Sequence, residues 1–261
     1  CEPYITSDYR CFMEEGEDVL EGVLLMLKYL GIPKCIIGIE KNKPKAIEKM
    51  TRLCEKHDNI TVKPLKSSYP QGAEKTLIFS TTGRVVKEGT LPLASGCIVV
   101  NSSTVAFIAQ YIRTGMPLVK RRITVDGNIV KKPSNFIVPV GMSIGEIVYY
   151  AELSDKPDRI ILGGPMMGAC AFDPDYPLSK TNNAVLMFAD SPVYEPSECI
   201  RCGKCVKACS MNLLPTELEH AFDMRDAGRL EKLKVNLCVN CGACSFVCPA
   251  KRNLAEKNQL A

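Results

Sequence analysis

The order of apolar patterns predicts an α/β layer, then a small α+β segment, then a short helical segment crowded with cysteine. Two observations place the first boundary: helix-spaced and strand-length apolar runs alternate up to Pro117, and strand-like runs dominate after it. A third places the last: eight of the fourteen cysteines fall between Cys199 and Cys248. The expected segments are 1–117, 118–190 and 191–261.

Residues 18–29 carry Val19, Leu20, Val23, Leu24 and Leu27 at helical spacing and stop before Gly31 and Pro33, the pattern of one amphipathic helix. Cys35-Ile36-Ile37-Gly38-Ile39 reads as a buried strand, 44–57 as a second helix, and Thr61-Val62 as another strand. Such alternation predicts a parallel or mixed sheet. A helix at 75–81 is stopped by Gly83, and residues 96–100 read as a strand ending at Asn101. Ser103 or Thr104 is placed to cap the next helix, which runs to Arg113. Strand ends feeding helix N-termini are where open α/β sheets bind ligands, so a cofactor is expected there.

From Pro117 the character changes. Arg122-Ile123-Thr124-Val125 and Asn128-Ile129-Val130 flank Asp126-Gly127, a hairpin signal. Asn135 opens a further apolar run, and Ser143-Ile144-Gly145-Glu146 reads as a capping box for a short helix ending near Leu153. Strands at 159–162 and 184–188 surround Gly163-Gly164-Pro165-Met166-Met167-Gly168, which lacks the glycine spacing of a dinucleotide fingerprint. Residues 189–198, with Pro192 and Pro196, read as a linker. Beyond it, Thr216-Glu217-Leu218-Glu219 is expected to cap one helix, and 226–235 to form another.

The chemistry is concentrated in the cysteines. Cys199-x2-Cys202-x2-Cys205-x3-Cys209 is answered by Cys238-x2-Cys241-x2-Cys244-x3-Cys248-Pro249. This is the spacing of two [4Fe–4S] clusters: one loop wraps three irons of a cubane, and the fourth Cys, set too far along, ligates the other cluster. The expected sets are Cys199, Cys202, Cys205 and Cys248, and Cys238, Cys241, Cys244 and Cys209. Structural zinc also uses such Cys pairs but is satisfied by two of them, which leaves the third thiol of each triplet unused. Ser210 stands where the second run has Pro249, without affecting ligation. Ile200, Val239 and Phe246 are the neighbours expected to bury the clusters.

The remaining singletons carry less. Cys11, Cys35, Cys54, Cys97 and Cys170 have no ligand spacing and read as small buried hydrophobes, and Met166-Met167 as core filling. His57 and His220 are isolated, so nucleophilic or general-base catalysis has no support.

Composition excludes several classes. With 46% hydrophobic and 24% charged residues the chain is not a disordered one. Its formal charge of +4 falls to about zero once two oxidised clusters, each about −2 with its thiolates, are counted. No basic run concentrates the lysines, so a nucleic-acid partner is not expected. No stretch offers about 18 consecutive apolar residues, so no transmembrane segment is expected. Cluster spacing without a signal segment points to a reducing cytoplasm rather than a disulfide framework. Residue 1 is Cys rather than Met, which reads as a piece of a longer protein.

Taken together, Cys1-Glu2-Pro3-Tyr4, Gly38-Ile39-Glu40 with Asn42-Lys43-Pro44, Tyr69-Pro70-Gln71-Gly72-Ala73-Glu74-Lys75, Thr82-Gly83-Arg84, the Asn135 segment, Gly163 to Gly168 and the Cys runs carry a family resemblance. Over nearly its whole length the chain resembles the RnfC family, a component of the Rnf ferredoxin:NAD⁺ oxidoreductase complex, and, more distantly, the flavoprotein subunit of respiratory complex I. The resemblance implies an α/β nucleotide/flavin domain, a small α+β β-grasp (SLBB-like) domain, whose turn is Gly163 to Gly168, and a helical two-[4Fe–4S] ferredoxin-like domain. It implies flavin mononucleotide (FMN) contacts for Cys1 and Glu2, for Tyr69, Gly72 and Glu74, and for Asn101 and Thr104. Ala73 stands where the complex I relative has a glutamate, and that relative's glycine-rich loop would lie upstream of Cys1.

The activity it implies is an NADH-dependent electron-transfer oxidoreductase, in which NAD(H) exchanges a hydride with flavin and flavin exchanges single electrons with the clusters. Partners would be other electron-transfer subunits, a reductase or ferredoxin, with peripheral docking on the cytoplasmic face of a membrane. Similar soluble electron donors to proline reductase or cobalamin reductase share the architecture. An iron–sulfur electron wire or docking module with a degenerate flavin site is the non-enzymatic alternative.

Overall fold

The computed structural model describes residues 1–261. In chain order it begins with helices α1 (Ser7–Glu14) and α2 (Gly16–Tyr29), strand β1 (Cys35–Glu40), helix α3 (Pro44–Cys54) and strand β2 (Ile60–Leu65). Helix α4 (Glu74–Thr82), a 3-10 turn at Pro92–Ser95 and helix α5 (Ser102–Thr114) follow. Next come β3 (Lys120–Asp126), β4 (Ser134–Pro139), α6 (Ile144–Tyr150), β5 (Arg159–Leu162), β6 (Ala169–Cys170) and β7 (Ala184–Phe188). The last stretch holds α7 (Lys204–Ala208), α8 (Pro215–Asp223), α9 (Ala227–Lys232), a 3-10 turn at Val235–Leu237, α10 (Ala243–Phe246) and α11 (Leu254–Leu260).

Two compact units form: Cys1–Ser67 with Val99–Ser191, and Ser68–Ile98 with Pro192–Ala261. They cut across the expected segments 1–117, 118–190 and 191–261. Residues 68–98 go with the cysteine-rich end because specific bonds hold them there. The Tyr69 hydroxyl donates to the Cys241 carbonyl at 2.5 Å, and Lys234 pairs with Glu88 at 3.1 Å.

In the first unit β1 and β2 pair in parallel through the α3 crossover, with Ile37 opposite Val62. The apolar stripe expected at 18–29 becomes the buried face of α2: Val19, Val23 and Leu27 pack with Ile37, Ile39, Met50 and Val105. The strand expected at 96–100 does not form. Its backbone has no neighbouring strand to pair with, although Cys97 to Val100 keep a strand's alternation of half-buried and exposed residues. Asn101, not Ser103 or Thr104, caps α5, its side-chain oxygen accepting the Ser103 N–H at 2.9 Å.

The five-stranded sheet has the order β4-β3-β7-β5-β6. A hairpin (β3, β4), a crossing helix (α6) and a return strand (β7) parallel to β3 make the β-grasp arrangement. Its core gathers Ile123, Ile144, Val185 and Met187. Residues 128–130 do not form the second arm of a tight Asp-Gly hairpin; β3 pairs instead with β4 across a longer loop. The Ser143–Glu146 capping box forms as expected, and α6 stops at Tyr150.

Thr124 of β3 joins this sheet to the helical layer. Its Oγ1 accepts the N–H groups of Thr6 and Ser7, each at 3.0 Å, at the start of α1, which has no side-chain cap of its own. Asn135 completes the link, accepting from the Thr124 hydroxyl at 3.0 Å and donating to Thr6 Oγ1 at 2.7 Å. Buried amides at a helix start need acceptors, and here a strand residue supplies one.

Of the five cysteines expected to be buried hydrophobes, Cys11 and Cys54 are buried, Cys35 and Cys97 are intermediate, and Cys170 is exposed, contrary to expectation. Burial, followed by the Glu15 carboxylate, pushes the Cys11 thiol from 9.0 up to about 12. A raised folded-state value means the stabilisation is full below the unfolded thiol's pKa and is lost as pH rises towards the folded one. Above about pH 9 the native state should therefore lose up to about 1.4 kcal/mol per pH unit. Urea unfolding at pH 8, 9 and 10 checks this: the stability gap between wild type and Cys11→Ala should shrink with pH, and a constant gap would contradict it.

Candidate metal centre

The two cysteine runs are conformational copies. The residue before the second Cys is left-handed in each (Arg201 φ 55°, Asn240 φ 57°), and so is the glycine after it (Gly203 φ 71°, Gly242 φ 74°). Each glycine is the N-cap of a short helix, α7 or α10, that carries the third Cys, Cys205 or Cys244. Glycine enters this backbone region without the Cβ penalty other residues meet. Backbone amides are turned towards sulfur as a result: Arg201 N–H donates to Cys199 Sγ at 3.4 Å, and Leu213 N–H to Cys209 Sγ at 3.3 Å.

Seven of the eight thiols fall into two electrostatic groups. Burial raises the Cys205 pKa, and the nearby Cys248 and Cys199 thiols add to the rise. Burial likewise raises Cys238, with Cys209 and Cys241 contributing, while an Asn258 side-chain hydrogen bond acts in the opposite sense. Cys244 is pushed up to about 11 by burial first and then by Cys238, Cys241 and Cys209. The fourth Cys of each run thus keeps company with the other run's triplet.

Cys209, Cys238, Cys241 and Cys244 line one recess of about 370 Å³, part of it open to solvent. Its other walls include Met211, Leu213, Pro215, Val239, Ala243 and Ala255, with Ser210, Asn240 and Asn258 as polar members and no charged residue. Tetrahedral zinc gathers its donors on one ion, whereas a cubane takes each thiolate on a separate iron, and an all-thiol donor set fits it. Of the three neighbours expected to bury the clusters, only Val239 lines the recess. Ile200, in the loop before α7, and Phe246, at the end of α10, are 67% and 75% exposed.

Around the runs, α8 begins at Pro215 with no side-chain cap, so the expected role of Thr216 is not realised. Glu219 is buried instead and receives Arg252 at 2.7 Å and Lys257 at 3.2 Å, which fastens the C-terminal segment to α8. Tyr69 braces the second run through Cys241. Tyr69→Phe removes that bond and should cost about 1 kcal/mol in urea unfolding. An unchanged midpoint would show that the bond contributes nothing.

The residues expected to contact flavin divide between the units. Cys1, Glu2, Asn101 and Thr104 belong to the first, and Tyr69, Gly72 and Glu74 to the second. Glu2 has a local partner that its sequence context did not signal: its carboxylate accepts the Met166 and Met167 N–H groups, both at 3.0 Å. A Cβ on Gly164 would lie 2.2 Å from the Glu2 carboxyl carbon, so a side chain there would push the Glu2 carboxylate aside. Asn101 donates to Asp8 at 3.1 Å as well as capping α5. Gly72 and Glu74 are exposed at the start of α4. Gln71, between Tyr69 and Gly72, is only 5% exposed, and its Nε2 has no partner within the protein.

Comparison with known proteins identifies both ends. Residues 1–110 match the Nuo51 FMN-binding domain, and residues 198–252 match the 4Fe-4S dicluster domain. A Clostridium ljungdahlii protein described as the C subunit of a proton-translocating ferredoxin:NAD(+) oxidoreductase complex is 40% identical over 84% of this chain and 48% of its own length. The corresponding subunit of a Na(+)-translocating complex in Acetobacterium woodii is 38% identical over 84% of this chain and 50% of its own. The chain belongs to the RnfC family.

Another RnfC-type protein, from an ion-translocating oxidoreductase complex of Rhodobacter capsulatus, is 35% identical over 88% of this chain and 46% of its own length. The chain spans about half the length of the curated relatives it matches. Its fold is also that of a chain from an NAD+-reducing [NiFe]-hydrogenase in the H2-reduced state, with a TM-score of 0.66 and 16% identity over 98% of this chain and 52% of that one. The FMN-binding match reaches residue 110 and so includes residues 68–98, which pack in the cysteine-rich unit. No helix is long and apolar enough to cross a membrane.

Proposed function

We propose that this chain is the flavin-to-cluster part of an NAD(H)-linked electron-transfer oxidoreductase subunit of the Rnf type. The observation that carries the reading is the gathering of Cys209 with Cys238, Cys241 and Cys244, and of Cys205 with Cys199 and Cys248, in the unit that also contains Tyr69, Gly72 and Glu74. Cys199, Cys202, Cys205 and Cys248 would hold one cubane, and Cys238, Cys241, Cys244 and Cys209 the other. Cys1, Glu2, Tyr69, Gly72, Glu74, Asn101 and Thr104 would hold FMN, and the buried, unpartnered Nε2 of Gln71 suits a further polar contact.

When bound, flavin converts the two-electron chemistry of NAD(H) into the one-electron chemistry of iron–sulfur clusters. The chain's own contribution is placement. Amides at Arg201 and Leu213 donate to cysteine sulfur, apolar walls exclude water from the second set, and the Tyr69 hydroxyl fixes the loop carrying Cys241. In our reading the protein docks peripherally on the cytoplasmic face of a membrane complex, exchanging electrons with other subunits, a reductase or ferredoxin. The three modules at 1–117, 118–190 and 191–261 are our proposal for its functional division.

The engagement of Glu2 with Met166 and Met167, and of Asn101 with Asp8, favours one second reading, an electron wire with a degenerate flavin site. Anaerobic isolation of the full-length protein decides. About eight irons per chain, stoichiometric FMN on denaturation and NADH-driven bleaching of the cluster absorbance are expected. Clusters without FMN or NADH oxidation would leave the wire, and iron well below about eight would remove both readings.

A further inference from the structure

The two cluster sites differ in their access to solvent and in their charge. Cys199 and Cys202 are exposed, whereas none of Cys209, Cys238, Cys241 and Cys244 is. The first run is interleaved with cations: Arg201 precedes Cys202, Lys204 precedes Cys205, Lys207 follows it, and Lys251 comes shortly after Cys248. All four are exposed, and Lys251 Nζ lies 4.5 Å from the centre of the Tyr194 ring. The one anion adjoining the run is Glu198, while Arg252 is engaged by Glu219. Between Cys238 and Cys248, by contrast, there is no charged residue, and the recess of the second set has none in its walls. That inner set is the one braced by Tyr69, from the segment expected to touch flavin.

We propose that the face around Cys199 and Cys202, rimmed by Arg201, Lys204, Lys207 and Lys251, is the docking port for an acidic one-electron carrier protein, and that the set of Cys238, Cys241, Cys244 and Cys209 is the internal station on the flavin side. The proposal rests on the reading of the previous section and adds the order of the two sites and the charge of the partner. Neighbouring residues along a chain lie about 3.8 Å apart at Cα, so Arg201, beside Cys202, and Lys204, two residues beyond it, stand within a Debye length of about 8–10 Å of an exposed thiolate. A redox centre accessible to solvent and ringed by one sign of charge both attracts an oppositely charged protein and orients it for electron transfer. The same cations favour the more negative, reduced state there, so an electron entering from the flavin side comes to rest at the port. Backbone amides reach sulfur at both sites, from Arg201 to Cys199 and from Leu213 to Cys209, so the cations of the rim are what sets the outer site apart. In the exchange tested below, the carrier loses one electron and the protein gains one, with no bond made or broken.

The test is stopped-flow mixing of oxidised full-length protein with a reduced, small acidic ferredoxin, and in parallel with a reduced zwitterionic viologen. For the double variant Lys204→Glu/Lys207→Glu, the ferredoxin rate at low salt should fall by about tenfold and lose much of its salt dependence. The viologen rate and the iron content should remain those of wild type. Lys251→Glu alone, farther from any ligand, should give a smaller loss in the same direction and serves if the double variant binds iron poorly. Lys131→Glu/Lys132→Glu, in the other unit, should change nothing. In a redox titration, the double variant should lower the midpoint of one cluster only. An unchanged ferredoxin rate in iron-replete variants overturns the port while leaving the proposed function standing. Wild-type protein without two clusters or without NADH-linked reduction overturns both.

Discussion

Replacing Cys209 with alanine is expected to abolish the cluster of Cys238, Cys241 and Cys244, and to spare the cluster of the run to which Cys209 belongs. The reason is spatial. Cys209 lines the recess with the second triplet and contributes to the raised pKa values of Cys238 and Cys244, while Cys205 responds to Cys248 and Cys199. Iron should fall from about eight to about four per chain. Double variants identify which cluster survives. Cys209→Ala/Cys241→Ala removes two ligands from one site and should keep about four irons, whereas Cys209→Ala/Cys202→Ala damages both sites and should keep few. The reverse pattern of iron retention would establish uncrossed ligation. Thiolate ligands also lose protons on binding, so the comparison belongs at one fixed pH.

The second large effect is expected far from the cysteines. Gly127→Ala should destabilise the protein by roughly 3 kcal/mol, which corresponds to about 6–12 °C in thermal unfolding of a chain of this size. Gly127 sits at φ 136°, a conformation L side chains rarely adopt, and a Cβ there would lie 1.9 Å from the Met187 carbonyl oxygen. Neither term can relax cheaply, because the obstacle is the backbone of β7, the strand that inserts beside β3 at the centre of the β-grasp sheet. Gly141→Ala is the control: its φ is also positive, at 93°, but its added Cβ meets nothing within 4 Å. Equal losses at the two positions would show that strain alone, without the close approach of β7, sets the cost.

Much of the helical pattern could be read locally. The stripe of Val19, Val23 and Leu27, the stop at Gly83 and the Ser143–Glu146 box all depend on residues within a few positions of one another, and each appears in the structure. The strand at 96–100 fails for the complementary reason. Cys97-Ile98-Val99-Val100 has a strand's composition, but a strand exists only when another backbone pairs with it. The same limit applies to Asp126-Gly127. Glycine is required there, yet the requirement comes from Met187 in β7 rather than from a two-residue turn.

At the candidate site the division follows the same line. Eight thiols in two equal spacings announce their own chemistry, since a cubane's demand for closely spaced ligands is a demand on neighbouring residues. Glu2, by contrast, gave no local sign of its two bonds to Met166 and Met167, because the partner turn is remote in the chain. Nor was there any sign that Tyr69 braces Cys241 or that Ile200 and Phe246 face solvent.

The sequence by itself therefore determined the twin cysteine spacing, the family and the type of most elements, all of which rest on order and spacing along the chain. Only the tertiary structure decided that residues 68–98 pack with the cysteine-rich end, that Thr124 and Asn135 tie the sheet to α1, and that Cys199 and Cys202 are exposed while Cys209, Cys238, Cys241 and Cys244 line a recess. Those facts depend on which distant segments fold against one another, and a burial or a hydrogen bond between remote residues leaves no periodicity in the chain to be read.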